Sequence, residues 1–353
     1  MKIALCCNVK KKEPDKPPDY FSEFDSEETV LSIASAIQSL GHEVVLAEAN
    51  NRKNLLSFFQ NNPVDFVFNI AEGVDSKFRE SEVPALLDFL SLPYSGSNPF
   101  TLALALDKAM SKRIFKAENI PTPQFQVFSD IHTPLEPALR FPLMVKPNCE
   151  GSGKGISAAS VVHNKKDLYT QIERTLLNYR YEVLVEEFID GKELTVGILA
   201  QGAPVALPIL EIDFSNCNKS GEYFYSWKMK EYQGNKEMGC TPNFYCPARL
   251  PEEIAHNVKE TALRAHRALG CLDISRIDIR LGKDAIAYVL EVNPLPGLDP
   301  RESNFPLIAR AAGIEYKDLM KTIIEGAMKR CGIKNKPSFD LSKERINSLR
   351  YAK

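Results

Sequence analysis

Short apolar runs alternate with helix-period apolar positions through the first third of the chain. Residues 2–6 and 43–47 are compact apolar runs, and between them Val30, Ile33, Ala34, Ile37 and Leu40 recur every three or four positions across 25–40. This pattern predicts strand, helix, strand. Asp25 with Glu28 three positions on reads as a capping box, and Gly41 as the helix terminator. A third buried strand over 65–70, a helix near 82–90 and the turn Pro93-Tyr94-Ser95-Gly96-Ser97 continue the alternation. Strands separated by helices predict an α/β layer with a mainly parallel sheet.

Beyond Asn98 the pattern changes. A helix is expected over 102–118, ended by Pro121-Thr122-Pro123. Strands then crowd together at 125–128, 143–146, 156–162 and 183–189 around one helix from Asp167, which reads as a small α+β unit. Strands at 193–199 and 205–212, a helix at 252–269, strands at 276–281 and 285–293 and a helix at 315–329 complete the chain. The expected fold class is therefore α/β, in part α+β, in three domains: an N-terminal parallel-sheet domain (1–106), a small central domain (107–188) and a C-terminal domain (189–330). The polar tail, 331–353, reads as a peripheral helix or a loose end.

Composition narrows the function classes. The 353 residues carry 44 Lys+Arg against 46 Asp+Glu, a formal charge of −2, with no basic stripe of the kind that holds nucleic-acid phosphates. At roughly 100–200 residues per domain, the length fits two or three domains that bury their own cores. No apolar run approaches the ~18 residues of a membrane span, and Lys10-Lys11-Lys12 cuts off the opening apolar run before it could serve as a signal segment. The eight cysteines (6, 7, 149, 217, 240, 246, 271, 331) include no CxxC pair, and the five histidines supply no zinc spacing, so reduced thiols in a cytoplasmic protein are expected.

Two segments carry chemistry. In Glu150-Gly151-Ser152-Gly153-Lys154-Gly155, alternating glycines let backbone N–H groups approach an anion closely, although a plain tight turn explains the same residues. A P-loop is excluded, because Lys154 is followed by Gly155 and not by Ser or Thr. Near the C-terminal end, Arg276 and Asp278 share one face of a strand, as do Glu291 and Asn293 on the next. Oxygen donors of this kind suit Mg²⁺ held jointly with substrate phosphate; the alternative is a solvated sheet face with cross-strand ion pairs. The Gly297 amide, just after that strand, is placed to stabilise an oxyanion or simply to form a turn.

Taken together, these segments resemble the D-alanine–D-alanine ligase family of ATP-grasp enzymes. Pro93 to Ser97, Asp107-Lys108 with Ser111-Lys112-Arg113, Val145-Lys146-Pro147, Glu150-Gly151-Ser152, residues 183–195, Arg276-Ile277-Asp278 and Glu291-Val292-Asn293 with Pro296-Gly297 stand in family order. The resemblance implies a three-domain ATP-grasp architecture and Mg²⁺-dependent ligation of a carboxylate to an amine, with D-alanyl-D-alanine for peptidoglycan of the cell wall as the leading product. The same mechanism on other amino acids or a small-metabolite carboxylate is the alternative, and a non-catalytic nucleotide-binding protein is the rival from another class. By the same resemblance Lys108 and Lys146 contact ATP phosphates under the Glu150–Gly155 turn (Glu150, Gly151, Ser152, Gly153, Lys154, Gly155). Glu186, Glu187, Phe188 and Ile189 line the adenine pocket, and Glu193 holds the ribose. Asp278, Glu291 and Asn293 bind two Mg²⁺, or Mn²⁺ in their place. Arg276, Gly297, Ser152 and Lys230 form the catalytic set, and a homodimer is implied.

The substrate side departs from the family pattern. Cys6-Cys7-Asn8-Val9 and a Lys/Pro-rich loop over 10–18 replace a glycine-rich loop and its amine-binding Glu, for which Glu27 or Glu28 is the candidate. The mobile loop offers Lys230 with Tyr232 one position out of step, and the carboxylate-binding loop offers Arg301 or Ser303, with an Arg301–Glu302 surface pair as the plain alternative. Asn69-Ile70-Ala71-Glu72-Gly73 lacks the family histidine, leaving Arg79 and Glu80 as nearby candidates.

Overall fold

The computed structural model describes residues 1–11, 15–179, 181–217 and 221–333. The tail beyond Ile333 and part of the Lys/Pro-rich loop lie outside the described residues. Strands β1 (Lys2–Cys7), β2 (Glu43–Glu48) and β3 (Phe66–Asn69) pair in parallel in the order β2-β1-β3. Central β1 is covered on both faces, which is why it reads as an apolar run without alternation. Helices α1 (Glu27–Ser39), α2 (Arg52–Asn61) and α3 (Arg79–Phe89) pack around this sheet. The cap of α1 is Ser26, whose Oγ accepts from the Thr29 amide at 3.1 Å, and not Asp25. A serine one residue later caps equally well and leaves the Asp25 carboxylate free.

The helix expected over 102–118 is two helices, α4 (Pro99–Leu106) and α5 (Lys108–Ala117). Asp107, at φ −81° and ψ 93°, ends the first and caps the second by accepting from the Met110 amide at 3.0 Å. Next come β4 (Phe125–Phe128), β5 (Leu143–Pro147), β6 (Val161–Val162) and β7 (Val183–Glu187), an antiparallel sheet in the order β4-β7-β5-β6, with α6 (Lys165–Asn178) against it. Strand β6 is shorter than expected because Ala158–Ser160 forms a 3₁₀ turn.

The third sheet contains β8 (Gly191–Ala200), β9 (Pro204–Asp213), β10 (Asn243–Tyr245), β11 (Ile274–Gly282) and β12 (Ala287–Asn293), antiparallel in the order β10-β9-β8-β11-β12. Short α7 (Trp227–Glu231) follows β9, and α8 (Glu252–Ala268), α9 (Asn304–Ala311) and α10 (Tyr316–Arg330) complete the chain. Along β11, Ile277 and Ile279 join Val196, Ile198, Val258 and Ala262 in a core under α8, so Arg276, Asp278 and Arg280 face the opposite side. On β12 the strict alternation would send Glu291 into that core after Ala287 and Val289. A bulge opposite Asp278/Ile279 inserts one residue, so that Glu291 shares the polar face and Val292 returns to the core.

A second core joins the first sheet to the third: Ile3, Leu5, Ile33 and Phe66 pack in one cluster with Leu210, Phe305, Leu319 and Ile323. A latch reinforces this junction. Asp273, at the start of β11, accepts from the Gly96 amide at 2.8 Å and from Arg330 at 2.7 Å, and Arg330 also donates to the Tyr94 and Gly96 carbonyls. Arg330→Ala strands a carboxylate whose side chain is only 2% exposed, so unfolding free energy is expected to fall by about 3 kcal/mol, read as a lower midpoint in thermal or urea unfolding. An unchanged midpoint would show that the latch contributes nothing.

Candidate active site

The polar faces of β8, β11 and β12 look across a cleft toward β5, β7 and the turn after β5. Thr195, Arg276 and Asn293 all converge on Asp278: Thr195 Oγ1 donates at 2.6 Å, the Arg276 guanidinium at 3.0 and 2.8 Å, and Asn293 Nδ2 at 3.1 Å. Glu291 stands directly across the strand pair from Asp278, with the Lys108 ammonium 3.3 Å away. Burial opposes ionisation of Glu291, but Lys108, Lys146, Lys230 and Arg276 outweigh it and hold the carboxyl far below its ordinary range.

Lys108 reaches this point because α5 starts where it does. Asn148 locks the start of α5 by donating to the Asp107 carboxylate at 2.8 Å and accepting from the Ala109 amide at 2.9 Å. Deeper in the cleft, Glu186 bridges Lys146 at 2.5 Å and Lys112 at 2.7 Å, and this lysine pair keeps it ionised against the cost of burial. Burial, only partly offset by Glu186, pulls Lys112 down to about 8. The apolar wall is made by Met144, Phe188, Leu194, Phe224 and Leu290, with Arg280 stacked 4.9 Å from the Phe188 ring centre and paired to Glu193 at 3.3 Å.

Above the cleft, Ser152 and Gly153 both adopt left-handed backbone, and a side chain at Gly153 would strike the Trp227 backbone. The turn therefore seats directly on α7, which carries Lys230. Lys230 has no carboxylate within 4 Å among the described residues; it lies 5.1 Å from the Tyr225 ring centre, and burial beside Arg276 lowers its pKa. A largely enclosed ammonium without a counterion, next to Lys108, Lys146 and Arg276, fits a phosphate-bearing ligand. Two carboxylates and an amide oxygen, all hard donors, fit Mg²⁺.

The cleft opens into a second cavity of about 400 Å³, which shares Lys108, Lys230, Arg276 and Glu291 with it and adds Ser152, Asn293, Gly297 and Ser303. Ser303 Oγ accepts from the Asp299 amide at 3.0 Å, beside Gly297. Gly155 lines neither space; a side chain there would collide with Pro147 and Tyr179, so its role is in folding the turn. Glu27 and Glu28 lie exposed on the first turn of α1, and Glu28 forms a surface ion pair with Arg301 at 2.6 Å, which removes all three from the cavity. The partner of Arg301 is thus Glu28 and not Glu302. Tyr232 packs edge-on against Trp227 at the surface, and Tyr225 lines both spaces instead.

Sequence reading missed Glu23, an acid in an irregular loop with no motif around it. Its carboxylate takes Arg79 at 2.6 Å, Lys154 at 2.7 Å and the Gly151 amide at 2.9 Å. Burial works against its charge, yet Arg79 and Lys154 hold it at about 2. Among the other acids lining the second cavity, three are shifted upward. Burial pushes Asp25 up to about 7, and burial with the Glu23 charge raises Glu80 to about 7; Glu72, buried beside Glu80 and Glu23, is also well above the usual range.

A cation-lined nucleotide cleft between two antiparallel sheets, behind a parallel-sheet unit, defines an ATP-grasp protein. The family profile described as the D-ala D-ala ligase C-terminus matches residues 114–325. The chain is 33% identical to the D-alanine–D-alanine ligase of Carboxydothermus hydrogenoformans over 92% of this chain and 97% of that one. It is also 32% identical to an uncharacterised protein, y4sG, of Sinorhizobium fredii, over 94% and 98%. Its fold matches the crystal structure of D-alanine–D-alanine ligase from Bacillus anthracis complexed with ATP, with a TM-score of 0.73, 26% identity and coverage of 94% of this chain and 99% of that one. The chain belongs to the D-alanine–D-alanine ligase family. No helix among the described residues is long and apolar enough to cross a membrane.

The raised Asp25 carboxyl sets a pH signature. Folded protein keeps this proton up to about 7, whereas the unfolded chain releases it near ~3.9, so its contribution to stability is present at acid pH and lost as pH rises through 7. Asp25→Asn cannot ionise. Its melting temperature is expected to match wild type near pH 4 and to exceed it increasingly toward pH 8; parallel curves would refute the assignment.

Proposed function

We propose that this protein is an ATP-dependent ligase that joins two D-alanine molecules, converting ATP and D-alanine to ADP, phosphate and D-alanyl-D-alanine. One observation carries the reading: the cation-lined cleft and the amino-acid cavity are continuous and share Lys108, Lys230, Arg276 and Glu291 at their junction. A γ-phosphate held there meets a substrate carboxylate from the cavity side. Carboxylate attack gives an acyl phosphate and ADP; attack by the second amine then forms the amide and releases phosphate.

Each residue has a part in this scheme. Lys108 and Lys146 hold phosphate oxygens under the Gly151–Ser152–Gly153 turn, residues 186–189 and Glu193 receive the nucleoside, and Arg276 with the Gly297 amide neutralises charge on the acyl centre. Asp278, Glu291 and Asn293 would hold two Mg²⁺, which supply charge neutralisation during phosphoryl transfer. Lys230 and the Ser152 turn shut the cleft against water, protecting a labile acyl phosphate. Ser303, which lines the second cavity, receives the second substrate's carboxylate in this scheme. A homodimer, common among similar enzymes, belongs to the same proposal and is tested by light scattering.

Purified protein with ATP, Mg²⁺ and D-alanine is expected to release ADP and yield D-alanyl-D-alanine by mass. Asp278→Asn keeps the side-chain volume and removes the charge that the metal requires, so kcat is expected to fall about a hundredfold or more while ATP binding by calorimetry persists. Full turnover in Asp278→Asn would overturn the metal assignment, and ATP binding without turnover on any amino acid would overturn the ligase reading.

A further inference from the structure

Glu186 has one more cation than its charge requires. Lys146 approaches it at 2.5 Å from β5 and Lys112 at 2.7 Å from α5, in a place where Glu186 is 3% exposed, Lys146 5% and Lys112 0%. Glu291, the next carboxylate toward the junction, already pairs with Lys108 at 3.3 Å. For the fold alone a single ammonium would answer Glu186, and a second one buried beside it costs stability unless another anion comes to the site. The two lysines are not equivalent. Lys146 lines the nucleotide cleft, whereas Lys112 lines neither the cleft nor the amino-acid cavity. Lys112 follows Lys108 by one turn of α5, and its ammonium also donates to Thr122 Oγ1 at 2.8 Å. The one proton of the Thr122 hydroxyl goes to the Val289 carbonyl at 2.8 Å, which fixes that oxygen as an acceptor for Lys112 and ties the lysine to β12. Against Glu186 Oε2, Lys112 makes a charge contact without an aligned hydrogen bond, so what it supplies there is neutralisation.

We propose that Lys112 is a positioning residue for the nucleotide: it answers the charge of Glu186 so that Lys146 is free to leave that carboxylate for a phosphate of ATP. The inference rests on the ligase reading above only for ATP as the ligand, and it gives a part to a buried lysine that the reading leaves without one. In the empty cleft Lys146 is tied to Glu186. If it were the only cation there, turning toward a phosphate would strand a buried carboxylate, and that penalty would be subtracted from the affinity for ATP. With Lys112 fixed behind it, Glu186 stays paired and in place to receive the nucleoside while Lys146 moves. Although burial pulls Lys112 down to about 8, its ammonium keeps its charge at neutral pH. Lys112 itself touches neither ATP nor amino acid and acts through Glu186 and Lys146.

The test measures ATP affinity of the full-length protein by calorimetry at neutral pH with Mg²⁺, alongside KM for ATP and for D-alanine. Lys112→Met fills the same unbranched space without the charge, and Glu186→Gln keeps the shape of its partner without the charge. Lys112→Met is expected to weaken ATP binding about ten- to a hundredfold, the worth of a charged hydrogen bond, while KM for D-alanine changes less than about threefold. In the Glu186→Gln background no carboxylate is left to recapture Lys146, and the same substitution is expected to weaken ATP binding by about threefold or less. The attraction of Lys112 for the phosphates is common to both backgrounds, so the difference between them isolates the release of Lys146. An equal loss in both backgrounds makes Lys112 a support of the fold and overturns the inference, and so does the absence of a loss in either. Where Lys112→Met fails to fold, a crystal structure of the wild-type protein with ADP and Mg²⁺ decides: Lys146 on a phosphate oxygen with Lys112 still against Glu186 upholds the inference, and Lys146 still on Glu186 overturns it. Wild-type protein that binds ATP but releases no ADP with any amino acid overturns the ligase reading and leaves the part of Lys112 in ATP binding standing; wild-type protein that binds no ATP overturns both.

Discussion

Glu23 joins Arg79 and Lys154 almost out of contact with water, and one wall of the amino-acid cavity is held in place by that triad. Its members come from three segments: the loop before α1, the first residue of α3, and the turn between β5 and β6. Charges this deeply buried are tolerable only when paired, and withdrawing the loop before α1 would leave Arg79 and Lys154 with Glu150 alone. The Gly151 amide adds a fourth tie to the same carboxylate. Around it, Trp227 donates to Ser22 at 2.7 Å and Tyr179 to Asp19 at 2.6 Å, so the loop before α1 clasps the glycine-rich turn and α7 together. Residues 22–26 of that aromatic and charged loop form this wall of the cavity.

The opposite wall depends on one extra residue. Without the β12 bulge, Glu291 would point into the core under α8 and no second carboxylate would face Asp278. The bulge keeps the core complete through Val292 and still places Glu291 within reach of Lys108.

How far the sequence was legible follows from the range of the interactions involved. Buried strands such as β1, β3 and β11 announce themselves by local composition, and the Arg276/Asp278 face follows from strand periodicity alone. Asp107 splits a helix that periodicity would continue, because its capping competes with propagation and is anchored by Asn148, forty-one positions away. Helix α2, with only Leu55 and Phe59 buried, has too thin an apolar stripe to stand out. Glu23 and the cavity acids were illegible for a different reason: an acid in a loop looks solvated until the fold brings Arg79 and Lys154 to it. The choice of Glu27 and Glu28 followed proximity to the helix start, and the first turn of α1 turns both to solvent.

The two connected spaces differ in their balance of charge, and that difference orients a substrate before any specific contact forms. On the nucleotide side six cations, Lys108, Lys146 and Arg276 among them, face six carboxylates; on the amino-acid side acids outnumber the cations Lys10, Lys108, Lys230 and Arg276. An amino acid entering between them aligns its carboxylate toward the lysines and its ammonium toward the acids, the orientation in which the carboxylate faces the γ-phosphate. Lys108 and Glu291, 3.3 Å apart, stand at the boundary between the two fields.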